Sequence, residues 1–171
     1  MSIPRNVLII EVGGSHMENV YTLVHLLCLK KARVSLLVNH KLRELIREKE
    51  KFYQIYDVPD TIQGAEKIKL CWKIRNIIKK EKIDILIFGT VESKPVRNIM
   101  PFLPGITIAG IIHDAQKMDR SGTFRYVYPF KIKKYIVFGN YILNGLHNYS
   151  RNKLFPFFPS YFPKPAEASI T

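Results

Sequence analysis

The chain has 171 residues, enough for one domain with a full core and too few for two comfortable ones. Its 47% hydrophobic share excludes a disordered protein, and a domain of this size buries roughly 70% of its surface, so neither metal nor disulfide is needed for stability. Lys and Arg outnumber Asp and Glu by 27 to 14, and the resulting charge of +13 favours nucleic acid, acidic headgroups or phosphorylated substrates without choosing among them.

Residues 6–12 (NVLIIEV) are aliphatic without polar alternation and predict a strand covered on both faces, as in a parallel sheet. A Gly13-Gly14 turn follows, and Ser15 and Glu18 stand at capping-box spacing. They predict a helix over residues 16–30 with Val20, Leu23, Val24 and Leu27 inside. Residues 33–38 form the next buried strand, completing a βαβ unit. Beyond it come a charged helix over 40–51, a short strand over 52–58, and a helix over 64–82. Leu70, Ile74, Ile77 and Ile78 make one stripe on that helix. Residues 84–89 read as a strand and 94–103 as a short helix stopped by Pro104-Gly105. Residues 106–112 are another strand, ending at His113-Asp114. The segment 116–134, with Arg120, Arg125, Lys131, Lys133 and Lys134, has no period and reads as a mobile basic loop. Residues 135–138 are a strand and 140–148 helical.

This alternation predicts a Rossmann-like three-layer α/β domain with a mainly parallel sheet of six or seven strands. The domain is expected over residues 1–155, and the proline-rich run 156–171 as an extended connector. Cys28 and Cys71 both lie in apolar helical patterns and read as two buried, reduced thiols. The apolar runs at 7–10 and 106–112 are too short for a signal core or a membrane span, so a cytoplasmic protein is expected.

In an open parallel sheet ligands bind at the carboxyl ends of the strands, where residues 13–18, 89–93 and 113–116 should meet. Gly13-Gly14 lets backbone approach a ligand, and helix amides beyond it favour an anion such as a diphosphate. A purely structural turn explains the pair equally well, and the absent G-x-G-x-x-G pattern leaves dinucleotide binding unsupported. His113 beside Asp114 is a candidate general base, donor or orienting group, or else a histidine bonded to local backbone. His16 carries the same ambiguity. Trp72 falls outside the apolar stripe of its helix, flanked by Ile68, Arg75 and Lys79. That arrangement suits an interfacial patch or, alternatively, a Trp packed under a neighbouring loop.

Four runs carry a resemblance. NVLIIEVGGSHMENVYTLVHLL (6–27) resembles the first strand, glycine-rich loop and first helix of GT-B glycosyltransferases. ITIAGIIHDAQKM (106–118) resembles their strand ending in His-Asp. KYIVFGNYILNGL (134–146) resembles the strand and helix before the crossing to the donor domain, and LFPFFPSYFP (154–163) the start of that crossing. The resemblance, towards retaining group 1 or family 4-like members, implies the N-terminal, acceptor-side half of such an enzyme. It implies that Gly13, Gly14 and Ser15 face the donor diphosphate and that His113 contacts the transferred sugar. His16, Glu18, Glu92 and Asp114 would lie on the acceptor side. The donor would be a nucleotide sugar, taken as substrate, with no cofactor and no metal. The nucleotide would be held by a C-terminal domain outside this chain, leaving the chain alone inactive. The acceptor would be a glycan or lipid-linked molecule of cell-envelope polysaccharide synthesis. Trp72, Arg75 and Lys79 would then form a peripheral membrane patch on the inner face. Two alternatives stand beside this reading. One is a non-catalytic acceptor or membrane subunit of a split two-chain glycosyltransferase. The other is a basic nucleic-acid-binding domain, which charge alone motivates.

Overall fold

The computed structural model describes residues 5–12, 17–114, 127–138, 142, 144, 146 and 153–157. Seven strands form one sheet: β1 (Asn6–Glu11), β2 (Arg33–Asn39), β3 (Gln54–Val58), β4 (Ile85–Phe88), β5 (Thr107–Ile112), β6 (Ile132–Phe138) and β7 (Leu154–Phe157). Their order is β3-β2-β1-β4-β5-β6-β7, and every pairing is parallel. Helices among the described residues include α1 (Met17–Leu29), α2 (His40–Glu44), α3 (Ala65–Glu81), α4 (Lys94–Ile99) and α5 (Tyr128–Lys131).

The lack of polar alternation in the strands has its cause in the layering. Along β1, Val7 and Ile9 pack on one side with Val20, Leu23 and Val24 of α1. Leu8 and Ile10 pack on the other with Leu70, Ile74 and Ile77 of α3 and Val96 and Ile99 of α4. Both faces are therefore covered, which is the condition for an all-parallel sheet. The stripe on α3 is buried at Leu70, Ile74 and Ile77 and half-buried at Ile78.

Four expectations need correction. The helix expected over 40–51 stops at Glu44, and the chain takes a left-handed residue at Glu48 and a 3₁₀ turn at Lys49–Lys51. Residues 47–51 offer no apolar group to bury, whereas Phe52 must enter the core on the α1 side and Tyr53 N–H must reach Val34 O at 2.7 Å. Within the segment read as a loop over 116–134, residues 128–134 are α5 and the start of β6, and residues 115–126 lie outside the described ones. A register shift between Ile108 and Ala109 explains the misreading. It puts two exposed residues, Lys133 and Lys134, between buried Ile132 and Tyr135, which hides the period of two. Cys71 is buried, but Cys28 is exposed on the outer side of α1, with its Sγ 3.7 Å from Lys51 O. Finally, the proline-rich run begins as a strand, with Pro156 placed opposite Val137 in β7 at the sheet edge. An edge tolerates a residue without an N–H to donate.

At the amino ends of the strands, Glu81 closes α3 and is buried. It accepts from Arg33 Nη2 at 3.0 Å and from Tyr56 Oη at 2.9 Å. The Arg33 guanidinium also lies 3.6 Å from the centroid of the Tyr53 ring. This cluster is on the opposite edge from the candidate site and ties β2, β3 and α3 together.

Candidate functional site

Strand order reverses between β1 and β4, and crevices at such switch points are where ligands bind in open α/β sheets. The residues beyond β4, from Gly89 to Glu92, are held there from several sides. Gly89 N–H donates to Ile10 O at 2.8 Å, and Val91 N–H to Ile111 O at 3.1 Å. The buried Tyr128 hydroxyl donates to Val91 O at 2.8 Å.

Glu11 ends β1 with no exposed surface at all. A buried carboxylate is costly unless bonded, and the Thr90 hydroxyl meets both its oxygens at 3.1 and 3.0 Å. The carboxylate lies across Gly89: a Cβ at that position would fall 3.0 Å from Glu11 Cδ and closer still to Oε2. Glycine is required here by side-chain volume rather than by backbone conformation.

His113 follows β5 and is half-buried. Its Nε2 is 2.7 Å from Gly89 O, and since a carbonyl only accepts, Nε2 carries the proton. Nδ1 is then the accepting edge, and Asn19 Nδ2 of α1 faces it at a long 3.5 Å. Glu92 turns its carboxylate onto the same segment. Oε1 accepts from the Asp114 amide at 2.6 Å and from the His113 amide. Burial pushes the Glu92 carboxyl above the usual carboxylate range; the amides of Asp114, Glu92 itself and His113 pull it back down, and the Asp114 charge pushes it up.

The structure thus brings together Glu92, His113 and Asp114 from the expected site. Glu18 lies in the first turn of α1, where its carbonyl accepts from Thr22 Oγ1 at 3.1 Å. Gly13, Gly14, Ser15 and His16, with the expected capping box, lie outside the described residues. Glu11, Asn19, Thr90 and Tyr128 were not anticipated. A lone acid at the end of an aliphatic strand was the available signal for Glu11, because such a group needs a buried partner.

Trp72 is 61% exposed, and Ile68 and Phe102 are 63% and 65% exposed. A hollow of about 440 Å³ between α3 and the α4 end is lined by Ile68, Trp72 and Phe102 with Lys67 and Arg75. A second, of about 580 Å³, shares Ile68 and Trp72 and adds Lys69, Lys73 and Lys80. Trp72 is therefore a ridge between two cation-lined hollows, not a side chain packed under a loop. Arg75 and Lys79 are exposed on the same helix.

No family model and no curated protein sequence matches the chain. Solved structures do match in fold. A glycosyltransferase from Rickettsia africae superposes with a TM-score of 0.64 at 14% identity, over 91% of this chain and 43% of that one. The UDP-GlcNAc 2-epimerase of Methanocaldococcus jannaschii gives 0.63 at 15% identity, over 88% and 45%. MurG of Acinetobacter baumannii gives 0.57 at 19% identity, over 80% and 42%. The chain spans less than half the length of these three structures. The chain shares its fold, an all-parallel Rossmann-like sheet, with part of each of these proteins. An epimerase among the matches shows that this fold alone does not decide between transfer and epimerisation.

Proposed function

We propose that this chain is the acceptor-side half of a glycosyltransferase that moves a sugar from a nucleotide-diphosphate sugar to a hydroxyl of a glycan or lipid-linked acceptor. The observation that carries this reading is the placement of His113: a ring held at the switch-point crevice, in a fold shared with glycosyltransferases. The M. jannaschii protein is by name an enzyme of UDP-GlcNAc, which supports a nucleotide sugar as donor. In this reading Gly13, Gly14 and Ser15 face the donor diphosphate, and His16, Glu18 and Asp114 lie towards the acceptor. His113 bonds the transferred sugar. A sugar hydroxyl displaces the 3.5 Å approach of Asn19 and donates to Nδ1. The nucleotide is gripped by a second half, in the same polypeptide or in a partner chain, and no metal takes part.

The test is sugar transfer by the native polypeptide, or its native complex, from radiolabelled nucleotide sugars to lipid and glycan extracts of the source cells. His113→Ala should lower transfer roughly 100-fold, the scale of losing one hydrogen bond that strengthens in the transition state. Donor affinity should stay within about threefold, because the contact belongs to the sugar being moved. Transfer that is unchanged by His113→Ala defeats the reading.

The same reading places the enzyme at an anionic membrane face. Among the described residues no helix is long and apolar enough to cross a membrane. The Ile68–Trp72–Phe102 ridge, with Lys67, Lys69, Arg75 and Lys79 around it, offers apolar groups for the headgroup region and cations for acidic lipids. Sedimentation with phosphatidylserine-containing vesicles should fall roughly tenfold in affinity on Trp72→Ala, and again on raising salt. Binding indifferent to both changes removes the membrane role.

A further inference from the structure

The carboxylate of Glu92 is used unequally. Oε1 accepts the consecutive amides of His113 and Asp114, while Oε2 is buried and has no hydrogen-bond partner among the described residues. Glu92 is 7% exposed and follows β4, the strand between β1 and β5. Two successive N–H groups can converge on one oxygen only if the backbone leaves the extended conformation, and here it does so directly after β5 ends at Ile112. The bend turns the His113 ring back towards β4, where Nε2 reaches Gly89 O at 2.7 Å. One segment, residues 89–92, thereby grips His113 twice: Gly89 by the ring and Glu92 by the main chain.

We propose that Glu92 is a positioning residue for His113, setting the bend after β5 that fixes the direction and tautomer of the imidazole. It acts through the backbone of His113 and does not touch the substrate. The consequence for catalysis rests on the glycosyltransferase reading above, but the placement is a property of the chain by itself. Amide pairing by Oε1 restricts the bend to one arrangement. Without an acceptor at that point the two N–H groups turn towards solvent and the ring loses its registry with Gly89. A charged acceptor suits the task because hydrogen bonds to a carboxylate are shorter and stronger than those to a neutral oxygen.

The experiment uses the full ¹⁵N-labelled chain and long-range proton–nitrogen spectra of its five histidines, with His113 assigned from the His113→Gln spectrum. The wild type should show His113 as a single Nε2–H tautomer whose ring proton exchanges slowly with water. Glu92→Gln keeps an oxygen where Oε1 sits and should retain this signature. Glu92→Met fills the same space without an acceptor, so it avoids the cavity that Glu92→Ala leaves. It should convert His113 to a mixture of tautomers with ring-proton exchange at least about tenfold faster. A role confined to stability would move the melting temperature and leave the tautomer alone. Retention of the single tautomer in Glu92→Met, or its loss in Glu92→Met and Glu92→Gln alike, overturns the proposal. Because no sugar, nucleotide or acceptor is present, failure here is separable from failure of the transfer assay.

Discussion

Gly89→Ala should destabilise the chain by about 3 kcal/mol, lowering the melting temperature by roughly 6–12 °C. The methyl group would occupy the space of the Glu11 carboxylate, which has no exposed surface and cannot swing into water without leaving the core. Overpacking accounts for part of the loss, and disturbance of the Thr90 hydrogen bonds at 3.0 and 3.1 Å for the rest. Glu11→Asp is the diagnostic partner, because it draws the carboxylate back by one methylene. In the wild-type background it should be destabilising; with Ala at 89 it should relieve the clash. Denaturant unfolding of the two single variants and the double should give a favourable coupling of about 1 kcal/mol or more. Losses that simply add would mean that Glu11 does not fill the space above Gly89.

Arg33→Met is expected to cost about 3 kcal/mol, at the lower edge for a broken buried pair because Arg33 itself is 43% exposed. Its guanidinium returns to water easily; the loss comes from Glu81, only 8% exposed, which is left with Tyr56 and the Lys80 amine at 4.0 Å. The face-on contact with Tyr53 contributes a further share of about 1 kcal/mol. Arg33→Met combined with Glu81→Met should therefore be less harmful than Arg33→Met alone. The same cluster has a signature in alkali. Burial, and next the hydrogen bond to Glu81, push the Tyr56 phenol up to about 12. The folded state thus holds a proton that the unfolded chain releases near pH 10. Stability contributed by the neutral phenol is complete below pH 10 and is lost as pH rises towards 12. Tyr56→Phe should remove this loss and flatten the unfolding profile over that interval. A profile unchanged by the substitution would show that Tyr56 does not keep its proton through that range.

The layers of this fold were legible because burial on both sheet faces leaves an unbroken aliphatic run, and α3 shows its stripe openly. Legibility failed where a residue's meaning depends on a partner distant in sequence. Glu11 looks anomalous in β1 until Thr90, just beyond the strand beside it, supplies a hydroxyl. Tyr128 reads as one more aromatic beside a proline until its hydroxyl meets Val91 O. Residues 133–134 were obscured for a local reason, since an irregular register breaks the alternation that marks a strand. For His113 the structure shows the ring bonded to backbone, as the plain structural alternative requires, and the bond is to Gly89 just beyond β4. At Trp72 the departure from the stripe was itself the message, and Phe102, 30 positions away by number, completes the ridge.

The strand order also bears on how the protein is made. Of these seven strands β1 is made before the others and stays inside the sheet; β2 and β3 then add on one side of it, and β4 to β7 add in sequence on the other. Each new strand finds its neighbour already synthesised, so the sheet can grow as two wings without any strand inserting between earlier ones. The widest gap joins Val7 to Ile85, where the second wing begins. That late closure is the step most exposed to delay, since distant pairings are slow to form. Glu11 and Gly89 pack against each other on that seam, and the crevice at this switch point exists only after the wings have met.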